Sequence, residues 1–101
     1  MRILSFCKMW EKLEQDKFTT FRWERKDKDW QEGEGVQIYF KSKSLQRERL
    51  GVGLIVNKEP KHIKDITEQE AIEDGFKNMA EMWVFLGKPE MNRVINKLTI
   101  S

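Results

Sequence analysis

The chain is poor in the residues that build metal sites and crosslinks. Cys7 is its one cysteine and His62 its one histidine. A single cysteine closes no intrachain disulfide and builds no cysteine-rich zinc site. A single histidine excludes a cluster of imidazole ligands, and no cofactor or metal is expected. Cys7 reads as a small buried hydrophobe on a strand and His62 as an ordinary loop residue. Long apolar runs are also missing. The longest, Met82-Trp83-Val84-Phe85-Leu86, is far short of the roughly 18 residues a membrane span needs. The N-terminus turns from basic to apolar, but Lys8 interrupts it too early for a signal peptide. These absences predict a cytoplasmic protein with no membrane partner. Charge of one sign is missing as well, since the net charge is only +2.

What is present suits one globular domain over residues 1–101. Apolar residues make up 39% of the chain and charged residues 36%, enough for a single core and a well-solvated surface. The charges are segregated. Between Lys41 and Lys64 seven bases (Lys41, Lys43, Arg47, Arg49, Lys58, Lys61, Lys64) face two acids, Glu48 and Glu59. Between Asp65 and Asp74 five acids stand with no base. A basic patch beside an acidic helix either attracts phosphates or is plain solvated surface.

Periodicity supplies the elements. Arg2–Phe6 is a short apolar strand. Met9, Trp10 and Leu13 recur at helical spacing, so Lys8–Gln15 is an amphipathic helix. Thr19–Trp23 is β-branched and aromatic and forms a strand. Its alternation puts Thr20 and Arg22 on one face and Thr19, Phe21 and Trp23 on the other. A charged loop, Glu24–Gln31, and a glycine turn lead to a strand over Val36–Phe40. Lys41–Arg49 is a basic loop or hairpin. Leu50–Asn57 is a strand whose Gly51 and Gly53 signal a bulge, a barrel corner or close approach of another backbone. Lys58–Lys64, with Pro60, reads as a loop. Thr67 and Glu70 form a capping box, with Ile66 placed to staple onto Ala71 and Gly75 to end the helix. Asn78 caps a second helix with Met79, Met82, Trp83 and Leu86 on its apolar face, widened by Val84 and Phe85, and Gly87 and Pro89 stop it. Arg93–Ile100 closes the chain as a strand. Many short strands with few helical crossovers predict an α+β fold, a small mixed β-barrel with short helices packed against it.

The stretch Lys17-Phe18-Thr19-Thr20-Phe21-Arg22-Trp23 concentrates a lysine, two hydroxyls, an arginine and three aromatics. Thr20 and Arg22 on one face fit either a polar site or an exposed strand. Trp10 and Trp83 read as core, while Trp23 and Trp30 are balanced between core packing and stacking on a base.

The order of these segments resembles the ASCH domain family of the PUA-like superfamily. The resemblance rests on Lys17-Phe18-Thr19-Thr20-Phe21-Arg22 after the first helix, Gly51-Val52-Gly53-Leu54-Ile55, and Ala71-Ile72-Glu73-Asp74-Gly75-Phe76, and it covers nearly the whole chain. It implies a small barrel with a cleft beside the Lys17-Thr20-Arg22 strand that binds RNA or a nucleotide-like ligand. Some members of the family are amidohydrolases acting on N4-acetylated cytidine. In those, the matching residues would be Lys17, Thr20 and Asp74, with Glu73 the neighbouring carboxylate. Asp74 stands where the family has a glutamate, one methylene longer. Threonine attacks a carbonyl only if a base takes its proton, and lysine serves as that base only if its pKa is lowered. A binding module asks for less: Arg22, Lys41, Lys43, Arg47 and Arg49 for phosphates and Trp23, Phe21 or Trp30 for stacking. A third reading is a protein-interaction domain that uses the acidic Asp65–Asp74 helix.

Overall fold

The computed structural model describes residues 2–6, 16–41 and 47–101. The expected helix at Lys8–Gln15, with Trp10, and the positions of Cys7 and Lys43 lie outside the described residues. Five strands follow in chain order: β1 (Arg2–Phe6), β2 (Phe18–Arg22), β3 (Gly35–Lys41), β4 (Arg47–His62) and β5 (Val94–Ile100). Between β4 and β5 come a single 3₁₀ turn (Ile63–Asp65) and two short helices, α1 (Glu68–Asp74) and α2 (Met79–Phe85). The strands form one curled sheet in the order β1-β3-β4-β5-β2, with β1 parallel to β3 and the other pairs antiparallel. The fold is thus α+β, a half-barrel with two helices.

β4 is the corner of this half-barrel. Its first part pairs with β3 and its last part with β5, and the register shifts between Ile38 and Tyr39 and again between Ile55 and Asn57. Bulges of this kind bend a strand and increase its twist. Gly53 sits at the bend. A Cβ there would lie 2.6 Å from Ile100 Cγ2 and 3.1 Å from Ile38 Cδ1. Both isoleucines are buried, so neither has room to withdraw. Gly53→Ala is expected to destabilise the fold by about 1–3 kcal/mol through overpacking. A urea midpoint unchanged from wild type would contradict that close approach.

The expected loop at Lys58–Lys64 is corrected. β4 continues through Pro60 to His62. Proline lacks an N–H and is confined to sheet edges. Here Pro60 has β5 on one side, opposite Asn96, and among the described residues no strand is paired on the other. His62 ends the strand, exposed, with Nδ1 3.5 Å from Asp65.

β1 and β2 stand at opposite edges of the sheet, yet the curl brings them together. The Phe6 and Phe18 rings meet edge-on at 6.0 Å. Arg22 lies over the Phe6 ring and donates to the Ser5 carbonyl at 2.8 Å. The concave interior holds Leu4, Phe6, Phe18, Val36, Ile38, Ile55, Leu98 and Ile100, all buried. The convex face of β2 is covered by α1.

The helices begin and end where the caps dictate. Thr67 Oγ1 accepts the Glu70 N–H at 3.1 Å while the Glu70 carboxylate accepts the Thr67 N–H at 3.0 Å, completing the capping box. Ile66 and Ala71, the staple pair, are both buried. Gly75 ends α1 with φ 112°, a conformation that glycine adopts without steric cost. Asn78 Oδ1 accepts the Glu81 N–H at 2.8 Å and starts α2. Met82 is buried, and Met79, Trp83 and Leu86 pack on the core as expected. Val84 and Phe85 do not widen that face. Both are more than half exposed, because the stripe already fills the contact, although Phe85 keeps ring contact with Phe76 at 5.2 Å.

Candidate functional site

β2 divides its side chains between two environments. In register with β5, Phe18, Thr20 and Arg22 face the same way as Ile100, Leu98 and Asn96, toward the concave interior. Thr19 and Phe21 share the convex face with Thr99 and Lys97. The parity read from the sequence holds, and the Thr20/Arg22 face is the inner one. Thr20 is buried and accepts a hydrogen bond from Arg22 Nε at 3.3 Å. Arg22 also bridges to Ser5, so it spans the seam between the two edge strands.

On the convex side a shallow cleft of ≈ 350 Å³ lies where β2 and β5 meet α1. Its walls are Lys17, Phe18, Thr19, Ile72, Glu73 and Thr99. Lys17 is exposed just ahead of β2, and Thr19 stands directly opposite Thr99. Glu73 is exposed on α1 and accepts from Gln69 Nε2 at 3.3 Å. The cleft therefore offers a cation, a carboxylate, the Thr99 side chain and the half-exposed side chain of Ile72, while the Thr19 hydroxyl oxygen is buried in its wall.

Of the residues singled out in the sequence, Lys17 and Glu73 are brought together in this cleft. Thr20 and Arg22 are brought together on the opposite face of β2. Asp74 is buried in the last turn of α1 and is not part of the cleft wall. Trp23 is half-buried beneath the Arg93 guanidinium, 4.0 Å from the ring centre. Trp30 is core, with Arg2 over its ring at 4.5 Å. Lys41 and Arg47 pair across the β3–β4 hairpin, and Arg49, opposite Tyr39, is exposed. None of these three strand positions adjoins the cleft wall. Among the described residues no three His, Cys, Asp or Glu side chains are grouped as a metal site.

One buried carboxylate holds the cleft's α1 wall in place and a second pins the loop before β3, and the sequence identified only part of the first. Glu70 was legible as a capping residue. In the fold it also accepts Lys61 Nζ from β4 at 2.6 Å and Lys97 Nζ from β5 at 2.8 Å, fastening α1 to the sheet. Burial opposes its charge, but the hydrogen bonds from Lys61, Lys97 and Thr67 outweigh burial and hold the carboxyl at about 2. Asp29, in the loop before β3, was missed altogether. It accepts Lys58 Nζ at 2.7 Å, Asn96 Nδ2 at 2.9 Å and the Trp30 N–H at 2.9 Å. Burial again opposes the charge, and the hydrogen bonds led by Lys58 keep its carboxyl below the usual range. The one signal was Asn96, a polar residue interrupting the apolar alternation of β5. Its amide reaches Asp29 from the buried interior.

Among the described residues no helix is long and apolar enough to cross a membrane. Compared with protein-family models, with curated proteins and with solved structures, the chain matches none.

Proposed function

We propose that this protein is an ASCH-like domain of the PUA-like superfamily that binds RNA or a nucleotide-type ligand in the cleft beside β2. The observation that carries the reading is the junction of Lys17, Thr19, Thr99 and Glu73 around one cleft of ≈ 350 Å³. Small-molecule sites begin at about 300 Å³ and combine apolar surface with a few convergent polar groups. Lys17 supplies a solvated ammonium for a phosphate. Glu73 accepts from a ribose hydroxyl or an exocyclic amine, and the Thr99 hydroxyl donates or accepts. Ile72, about half exposed, gives a base an apolar surface. Thr20 and Arg22 act from the other face, holding β2 against β1 so that the cleft keeps its shape.

The geometry favours binding over hydrolysis of an N4-acetylated cytidine. Lys17 lines the convex cleft with Thr19, whereas the Thr20 hydroxyl is buried on the concave face against Arg22. A general base has to come within hydrogen-bond reach of the proton it removes.

Thermal shift and fluorescence anisotropy with cytidine 5′-monophosphate and a short single-stranded RNA test the proposal. Binding is expected, weakening as salt rises because phosphate contacts release counterions. Lys17→Ala is expected to reduce affinity about tenfold. Wild-type affinity retained in both Lys17→Ala and Glu73→Gln would remove the cleft from the reading. Turnover of N4-acetylcytidine, lost in Thr20→Ala, would replace binding with hydrolysis.

A further inference from the structure

Among the described residues, no helix packs on the convex face of the other half of the sheet. α1 packs on β2, at the far edge of the sheet order from β1 and β3. On the uncovered face Ile3 of β1, Gln37 of β3 and Val52 of β4 stand side by side in register. Along β4 the exposed apolar residues continue as Leu50, Val52, Leu54 and Val56, with Val52 53% and Leu54 45% exposed. Single exposed aliphatics are ordinary, whereas a contiguous patch marks an interaction surface. The concave side is already filled by the core, so this stripe is surplus to folding. Tyr39 and Gln37, hydrogen-bonded at 3.3 Å, flank it as a polar rim.

The charges at the two ends of the stripe are opposite. Arg49 is exposed at one end, in register with outward-facing Tyr39. Glu59 is exposed at the other, in register with Lys97, whose side chain reaches α1 on the convex side. Glu59 is only loosely engaged: Lys61 Nζ lies 4.0 Å away and is bound at 2.6 Å by Glu70. The spacing is symmetric about Leu54. A two-fold axis crossing β4 at Leu54 carries Val52 onto Val56, Leu54 onto itself and Arg49 onto Glu59.

The geometry points to a second copy of this chain as the occupant, packed face to face through β4 in a two-fold dimer. An isologous interface has to be self-complementary, each patch meeting its own image. This stripe meets that condition in apolarity at its centre and in charge at its ends. Two sheets packed this way lie about 10 Å apart and bury their facing side chains between them. The apolar centre with a polar rim is the usual anatomy of such a contact. The dimer leaves the β2–α1 cleft open, so it is compatible with ligand binding there and does not depend on it.

Sedimentation velocity and light scattering of the full chain over a concentration series test the inference. A monomer–dimer equilibrium is expected. Leu54→Asp is expected to give monomer with an unchanged far-UV spectrum. R49E and E59R are each expected to weaken the dimer about tenfold, and the double variant R49E/E59R to recover most of that loss. Because these two positions are exposed, the charge reversals read the interface even if Leu54→Asp fails to fold. A wild-type chain that stays monomeric throughout overturns the inference, even if it captures vesicles or another protein. A folded Leu54→Asp that still dimerises, or a double variant no better than the singles, overturns it too.

Discussion

Glu70→Ala is expected to cost about 3–5 kcal/mol, because it strips two lysines on different strands of their shared partner. Lys97 and Lys61 would be left partly buried without that partner, Lys61 keeping only Glu59 at 4.0 Å, and the capping box would lose its second half. For a domain of this length, such a loss lowers the melting temperature by roughly 15–30 °C. Glu70→Gln keeps the side-chain shape and removes the charge, which separates packing from electrostatics. The pH dependence has a definite sign. A carboxyl held at about 2 in the fold, against 4.5 as its ordinary value, stabilises the folded state above 4.5. That contribution, about 3 kcal/mol, drains away as pH falls from 4.5 through about 2. Lys61 behaves oppositely. Its hydrogen bond to Glu70 raises its pKa above 10.5, so its contribution is present below 10.5 and is lost as pH rises through the raised value. Urea unfolding of wild type and Glu70→Gln at neutral pH and near pH 2.5 checks this. The gap between the two proteins should narrow in acid, and a gap independent of pH would show that the ion pairs do not carry it.

Asp29→Ala is expected to be nearly as damaging, at about 2–4 kcal/mol. The carboxylate collects the Lys58 ammonium, the Asn96 amide and the backbone N–H of Trp30 in a half-buried position. Removing it leaves the Asn96 amide, on a residue 3% exposed, without that acceptor. The same loop is pinned a second time by Arg2, whose guanidinium binds Glu34 and the carbonyls of Lys28 and Asp29 and lies over Trp30. Asp29→Asn retains an acceptor for the Trp30 N–H and the Asn96 amide but loses the ion pair, so it is expected to recover part of the loss. Because the Asp29 pKa is lowered, its contribution is present above 3.8 and drains as pH falls through the folded value. Equal denaturation midpoints for Asp29→Ala and wild type would mean that the loop is held by its other contacts, the Arg2 side chain and the backbone bonds to Ile55, without Asp29.

The candidate site was only half legible in the sequence. Alternation along Thr19–Trp23 gave the correct division of faces, because side-chain parity in a strand is a local property of the backbone. It did not say which face was inside, since that depends on where β5 and α1 lie. Thr20 and Arg22 therefore carried the sequence-based attention, while Thr19 acquired the cleft. Thr99 gave no sequence signal at all. It enters the site because β5 pairs antiparallel with β2 at that register, across eighty residues of chain. Glu73 was one of two adjacent carboxylates, and only the rotation of α1 on the sheet separates the cleft-facing one from buried Asp74.

Local chemistry by itself determined both helix caps and most of the strands, and marked the glycines of β4 as a bulge, a corner or a close approach. Each depends on residues within a few positions of one another, where dihedral preference, hydrogen-bond reach and side-chain spacing are set by the covalent chain. Only the tertiary structure decided that β4 runs through Pro60. The residue tolerates a strand there because, among the described residues, no strand pairs on one of its sides, and local sequence holds no record of an unpaired side. The same holds for Asp29, Asn96 and Lys58, and for Glu70 with its two lysines. Their partners are distant in sequence, and their charges survive burial because the sheet's curl brings those partners within hydrogen-bonding distance.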